Sequence, residues 1–289
     1  MSHLHQPYCR QLLLECDDPI FGGPLFQGRN GKPTKKGTDL ESRNSEDAVT
    51  WSVFRLLERH FSNLGWLSGL LALSGCEQMV AGSAALSFWE KGYPPRSRLL
   101  WLLEHLDDPR VASSRGAKQD PDRLRELGKN RVEYRKRIKD GQIRGRHPWV
   151  LEGPTEFDLV MRAPGLLVAL EAKLFSDVSS DVRWDSGREQ ITRVIDAGRE
   201  LTTEGDELAF LLVTDRRRHD PPKRYEALMA EYMIHGACGL SPDKVGWLTW
   251  GEIFKWLSDH REQCSSEQKT WIDRLELYLA ERSLLASDR

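Results

Sequence analysis

The chain of 289 residues carries 42 Lys+Arg against 44 Asp+Glu, a net charge of −2, with 39% hydrophobic and 30% charged residues. That balance excludes a disordered or fibrous chain and removes the simplest argument for a polyanion binder, so any basic surface must be local. The longest apolar stretch, residues 64–73, is broken by Gly65, Ser68 and Gly69 and is about half of the roughly 20 residues a membrane crossing needs; the five cysteines include no C-x2-C pair, which argues against a disulfide framework, a zinc site or an iron–sulfur cluster.

The N-terminus lacks a basic region followed by an apolar core, so the expected setting is cytoplasmic, without a membrane. Residues 1–44 include FGGPLFQGRNGKPTKKG, an arm or loop rather than a regular element. Its Gly31-Lys32 is not a phosphate loop, because Phe26 stands where the first glycine belongs and Pro33 follows the lysine. Ser45 then reads as an N-cap ahead of Glu46 and Asp47, and Val49, Val53, Phe54, Leu57 and Phe61 recur at helical spacing, which predicts a helix over 46–61. Residues 63–106 are helical and aromatic in pattern, and 121–139 form one charged helix entered through Asp120-Pro121.

The character then changes. HPWVLEG, TEFDLVMRA, GLLVALEAKLF, ELAFLLVTD and KVGWLTW are short runs rich in β-branched and aromatic residues, which predict strands. Between the third and fourth, Trp184, Ile191, Val194, Ile195 and Leu201 form a helical stripe over 182–201. Helices over 251–259 and 266–284 follow, giving β-β-β-α-β and then β-α-α.

If Pro164-Gly165 makes a two-residue turn, opposed positions are fixed. One face pairs Met161 with Val168, Leu159 with Leu170 and Phe157 with Ala172, and is wholly apolar. The other pairs Val160 with Ala169, Asp158 with Glu171 and Glu156 with Lys173. A slip of one residue would mix the faces. Two carboxylates at roughly 5 Å repel by about 3 kcal/mol at an effective dielectric near 20, so a proton, a neighbouring cation or a metal must offset them. Lys173 supplies one charge, and a divalent ion with oxygen ligands suits the remainder. The bland alternative is a solvated hairpin face with cross-strand ion pairs, against which stands the apolar run on both faces from Leu166 to Leu170.

A strand bearing Asp158, a turn, and an apolar strand ending Glu171-Ala172-Lys173 resembles the core motif of the PD-(D/E)XK nuclease superfamily, with Pro154 four positions before the aspartate. The resemblance covers roughly 45–60 and 147–250. It implies a restriction-endonuclease-like α/β fold, a mixed central sheet flanked by helices. Residues 45–289 form that domain, with a helical insertion over about 62–145 placed between the first helix and the first core strand, a catalytic core over about 147–250 and C-terminal helices over 251–284. It further implies Mg²⁺ or Mn²⁺ held by Asp158 and Glu171, with the Ala172 carbonyl as a further ligand, Lys173 acting on the attacking water and developing oxyanion, Glu46 as the helix acid and Gln190 as an orienting residue. Glu133, nearer the first strand, competes with Glu46 for the helix-acid role.

Residues 131–146, RVEYRKRIKDGQIRGR, concentrate seven Arg/Lys against two acids, the local footprint expected of a nucleic-acid groove. Arg135, Lys136, Arg137, Arg144 and Arg146 are the candidate contacts; Arg216 to Arg218 and Lys32, Lys35 and Lys36 add smaller patches. The resulting expectation is a Mg²⁺-dependent endonuclease acting on DNA in restriction, phage defence or recombination and repair, as a homodimer or beside a separate motor or defence partner. Its alternatives are an exonuclease or RNase of the same superfamily, or a catalytically silent nucleic-acid-binding subunit.

Overall fold

The computed structural model describes residues 11–14, 26, 34–40, 42, 45–78, 80, 82–142 and 151–285. A short helix, α1 (Lys35–Asp39), precedes α2 (Glu46–His60). Ser45 caps α2 by accepting the Ala48 N–H through its hydroxyl at 3.1 Å. Glu46 and Asp47 sit in the first turn and Arg59 and His60 in the last, each charge matching its end of the helix dipole. Val49, Trp51, Val53, Phe54, Leu56 and Leu57 are fully buried, at roughly 1.5–3 kcal/mol per large apolar side chain. That apolar face, rather than helix propensity, holds α2 in place.

Helix α3 (Trp66–Ser74) follows, then β1 (Ala85–Phe88), β2 (Lys91–Gly92) and five helices: α4 (Arg96–Glu104), α5 (Pro109–Ala112), α6 (Arg115–Gln119), α7 (Pro121–Lys129) and α8 (Arg131–Lys139). The chain resumes with β3 (Thr155–Glu156), β4 (Leu159–Ala163), β5 (Leu166–Ala172), α9 (Gln190–Leu201), β6 (Glu207–Thr214), α10 (Arg224–His235), β7 (Val245–Thr249), α11 (Trp250–Asp259) and α12 (Ser266–Ala280). Five strands form one mixed sheet in the order β1-β4-β5-β6-β7, while β2 and β3 pair separately. The β1–β4 and β4–β5 pairs are antiparallel; β5, β6 and β7 are parallel. Among the described residues no helix is long and apolar enough to cross a membrane.

Alternation along the strands divides the core in two. Leu159, Met161, Val168, Leu170, Leu211 and Val213 pack with α2, α3, α11 and α12 on one face. Val160, Leu167, Ala169, Phe210 and Leu212 pack with α9 and α10 on the other. A third cluster, including Leu99, Leu102, Leu103, Val111, Leu127, Tyr134 and Ile138, lies within α4, α5, α7 and α8. Ion pairs tie this helical unit to the sheet layer. Asp185 accepts from Arg98 at 2.7 Å and from Arg110 at 3.0 Å, and Glu152 accepts from Arg98 at 2.8 Å and from Arg188 at 3.3 Å.

The hairpin register holds from Ala163↔Leu166 to Leu159↔Leu170, with Gly165 at φ 74° after Pro164, the conformation a turn glycine supplies without a Cβ penalty. Beyond Leu159 the expected pairs are not made. Phe157 N–H donates to Glu90 O, Glu156 pairs with Lys91, and the Glu156 carboxylate accepts from Lys36 at 3.0 Å rather than from Lys173.

Several boundaries are corrected. Within the expected 62–145 insertion, α3 belongs to the main core and β1 is an edge strand of the sheet. The first strand of the sheet is therefore β1, and the inserted helices α4–α8 lie between β1 and β4. The expected strand over HPWVLEG is not formed where it is described: Leu151 and Glu152 are in a turn and bend and Gly153 is irregular, while residues 147–150 lie outside the described residues. The 121–139 helix breaks at Asn130 (φ −103°, ψ 19°), two residues after Gly128, both weak helix formers. Residues 182–189 are not helical because Asp185-Ser186-Gly187 forms a turn in which the Asp185 carboxylate accepts the Gly187 N–H at 2.8 Å.

Candidate active site

Strand β5 is buried along its whole length, and Glu171 near its end is 1% exposed. Asp158 lies just before β4, where its Oδ2 accepts the Ala172 N–H at 2.8 Å. The carboxylate thus completes the ladder at the point where the backbone of β4 turns away. Glu46 is the first residue of α2. One carboxylate oxygen each of Glu46, Asp158 and Glu171 lie within 4.8 Å of one another.

Lys173 is the cation of this cluster. Its Nζ donates to Glu171 Oε1 at 2.5 Å, Ala172 O at 2.7 Å and Glu46 Oε1 at 3.0 Å, which occupies all three ammonium protons. Burial alone would lower its pKa, but the charges of Glu171, Asp158 and Glu46 outweigh burial and raise it, so the amine stays protonated. Burial pushes the Asp158 carboxyl well above its ordinary value, and the Glu171 charge pushes it further while Lys173 opposes both. Glu171 is raised first by burial, against the pull of Lys173. Three carboxylates around one ammonium leave a deficit of positive charge in a desolvated place, where an uncompensated charge costs several kcal/mol.

This donor set fits a divalent ion. All three groups are hard oxygen donors, a set that suits Mg²⁺ or Mn²⁺ better than metals that prefer nitrogen or sulfur, and a dication would supply the charge that Lys173 alone does not.

Gln190, first residue of α9, donates from Nε2 to Glu171 Oε1 at 2.5 Å and accepts the Ser179 N–H at 3.0 Å. The structure therefore brings together all five expected residues: Asp158, Glu171, Lys173, Glu46 and Gln190. Glu133 is not among them; it is exposed on α8 and pairs with Arg137. The Ala172 carbonyl, expected as a further ligand, accepts from Lys173 Nζ.

The basic run contributes less free charge than its composition suggests. Arg135 pairs with Glu104 and Arg137 with Glu133, while Lys136 is exposed. Arg144, Arg146 and Lys32 lie outside the described residues. Arg217 is held by Glu252 at 2.9 Å and Lys36 by Asp47 at 2.8 Å, so both serve the fold.

Two residues at the site escaped sequence reasoning. Phe175 is 45% exposed on a loop pinned from both sides. Glu46 Oε2 accepts the Leu174 N–H and the Ser176 hydroxyl, each at 3.2 Å, and Lys223 Nζ donates to Phe175 O. The only signal in the sequence is its place two residues after Lys173. Arg193, one turn after Gln190 on α9, is half-buried and weakens the pKa rise of Glu171 by its charge.

No protein-family model, curated protein or solved structure matches the chain.

Proposed function

We propose that the protein is a metal-dependent nuclease that hydrolyses phosphodiesters in DNA, with a restriction-endonuclease-like core. The single observation that carries this reading is the convergence of Glu46, Asp158 and Glu171 within 4.8 Å around the protonated Lys173. An ammonium engaged by two carboxylates at the end of a buried strand is a costly arrangement for stability alone, and perturbed titratable clusters of this kind mark functional sites. The order α2-β1-β4-β5-α9-β6 supports the reading as well, since it runs α-β-β-β-α-β, the order expected of the superfamily core.

Glu46, Asp158 and Glu171 would hold Mg²⁺ or Mn²⁺, which when bound supplies Lewis-acid polarisation of the phosphate and neutralises its growing charge. Lys173 stays protonated and serves as a fixed donor toward the oxygens on which charge develops, not as the base. Gln190 holds Glu171 in one orientation, and the Ala172 N–H does the same for Asp158. Phe175 offers an aromatic face beside this cluster, on which an adjoining base can stack. The expected setting is restriction, phage defence or recombination and repair, with DNA as the partner.

The test uses the purified chain and its Lys173→Met variant on supercoiled, linear and single-stranded DNA and on RNA, with Mg²⁺, Mn²⁺ or EDTA. Metal-dependent opening of closed circles that disappears in the variant is the expected result. Cutting of RNA alone moves the assignment to a ribonuclease, and metal-dependent degradation of linear ends alone moves it to an exonuclease. Inactivity on every substrate with retained DNA binding makes the protein a silent subunit.

A further inference from the structure

Beside the carboxylate cluster lies a cleft of about 400 Å³, with Arg115 of α6, Glu152, Ser179, Asp181, Trp184 and Arg193 in its lining. Its volume falls at the small end of the range for ligand sites, about 300–1,000 Å³, and suits one nucleotide. The wall is continuous with the candidate active site: Ser179 N–H donates to Gln190 Oε1, and Gln190 Nε2 donates to Glu171 Oε1. The opposite wall is firmly seated, because α6 approaches so closely that a Cβ on Gly116 would come within 2.5 Å of Arg183 O and 2.6 Å of the Trp184 ring.

The charges in this cleft are unevenly matched. Glu152 is already engaged by Arg98 and Arg188. Arg193 makes no ion pair among the described residues; its Nε is buried without a hydrogen-bond partner and its Nη2 has one long contact, to Thr155 Oγ1 at 3.4 Å. Arg115 is exposed at the rim, which leaves Asp181 as the opposing acid. Glu152 and Glu171 act on the Arg193 guanidinium only through space, and a half-buried guanidinium that no carboxylate hydrogen-bonds is suited to a planar, doubly accepting anion such as phosphate.

We propose that this cleft is the subsite for the nucleotide flanking the scissile phosphodiester, with Arg193 and Arg115 taking its phosphate and Trp184 forming its floor. The assignment of the flank rests on the nuclease reading above.

The experiment is a binding titration of the full chain with deoxythymidine 5′-monophosphate in EDTA, beside inorganic phosphate, for the wild type and for Arg115→Ser and Arg193→Gln. The nucleotide is expected to bind saturably and more tightly than phosphate. Each variant is expected to weaken binding by about tenfold or more, the usual loss for a charge-assisted hydrogen bond. The nucleotide is also expected to raise KM for DNA cleavage without changing kcat. Arg115 is exposed, so its variant tests the site even if Arg193→Gln unfolds. Equal affinity in wild type and the Arg115 variant, equal affinity for bare phosphate, or no saturable binding would each overturn the subsite. Cleavage without nucleotide binding would remove this inference alone, whereas binding without any cleavage would remove the nuclease reading and the flank assignment with it.

Discussion

The Ala172 backbone N–H donates to Asp158 Oδ2 at 2.8 Å, so a side-chain carboxylate stands where a main-chain carbonyl would continue the β4–β5 ladder. The acid is fixed by the backbone of the very strand that carries its partner Glu171, and repulsion between them cannot be relieved by a rotamer change without losing that bond.

Asp158→Asn keeps an acceptor for Ala172 and removes one negative charge from the cluster. The metal-free variant is expected to unfold at the same temperature as the wild type or higher, while cleavage falls by about 100-fold or more. Thermal unfolding with and without Mg²⁺ checks the first part. A metal-free variant less stable than the wild type would mean that the charge is not a burden on the fold.

Divalent ion is expected to stabilise the wild type. At a concentration of about 100 times Kd, Mg²⁺ adds about 2.7 kcal/mol, a rise in Tm on the order of 5 °C that EDTA reverses. Glu171→Gln should lose most of that rise. An unchanged Tm across a wide Mg²⁺ or Mn²⁺ titration would remove the metal site.

Lys173→Met fills the same volume but takes the ammonium from three acceptors. Cleavage should fall by about 10²–10³, the loss typical of removing one charge-stabilising donor. The metal-free fold should lose about 3 kcal/mol at neutral pH, read by urea unfolding. Lys173→Arg is not expected to restore activity, because a planar guanidinium cannot place donors toward Glu46, Glu171 and Ala172 O from one point.

Phe175→Ala should weaken binding of single-stranded DNA by about 5- to 150-fold, from roughly 1–3 kcal/mol of base stacking, with urea stability unchanged within about 0.5 kcal/mol because the ring is exposed. Phe175→Trp should restore binding and Phe175→Leu should not. Full rescue by leucine would show that apolar contact, not stacking, is what matters.

Acid should release the helical unit. Burial alone lifts the Asp185 carboxyl, but the Gly187 N–H and the Arg98 and Arg110 guanidiniums outweigh it and hold the group below the usual carboxylate value. A group depressed in the folded state contributes stability that is complete above its unfolded value, about 4, and is lost as pH falls through the folded one. Asp185→Asn should therefore cost about 3 kcal/mol at pH 7 and flatten the stability profile below about pH 4, as measured by urea unfolding across pH.

Much of this site was legible in residues 157–173, because an apolar run on one face and a turn at Pro164-Gly165 leave one register open; that register holds only to Leu159↔Leu170, and Asp158 comes near Glu171 by accepting the Ala172 N–H rather than by the expected cross-strand pair. Glu46 was legible as a helix-start acid but not its contact with Lys173, since a contact across 127 positions leaves no periodicity to read. β1 was hidden for a different reason. Ala85–Phe88 is four residues long within an aromatic stretch, and an edge strand of that length has no room to show alternation. Helix α10 buries only Tyr225 and Met229, too few for a stripe. The overestimate of free positive charge over residues 131–139 came from counting side chains whose acids, Glu104 and Glu133, are brought to them by folding.

Lys173 does more than meet Glu46: its own N–H donates to Val213 O on β6. During synthesis the helix that begins at Glu46 leaves the ribosome long before either partner exists. A nascent chain that has not yet produced β6 lacks the neighbour that fixes the lysine's backbone, and so carries the acids without the assembled centre.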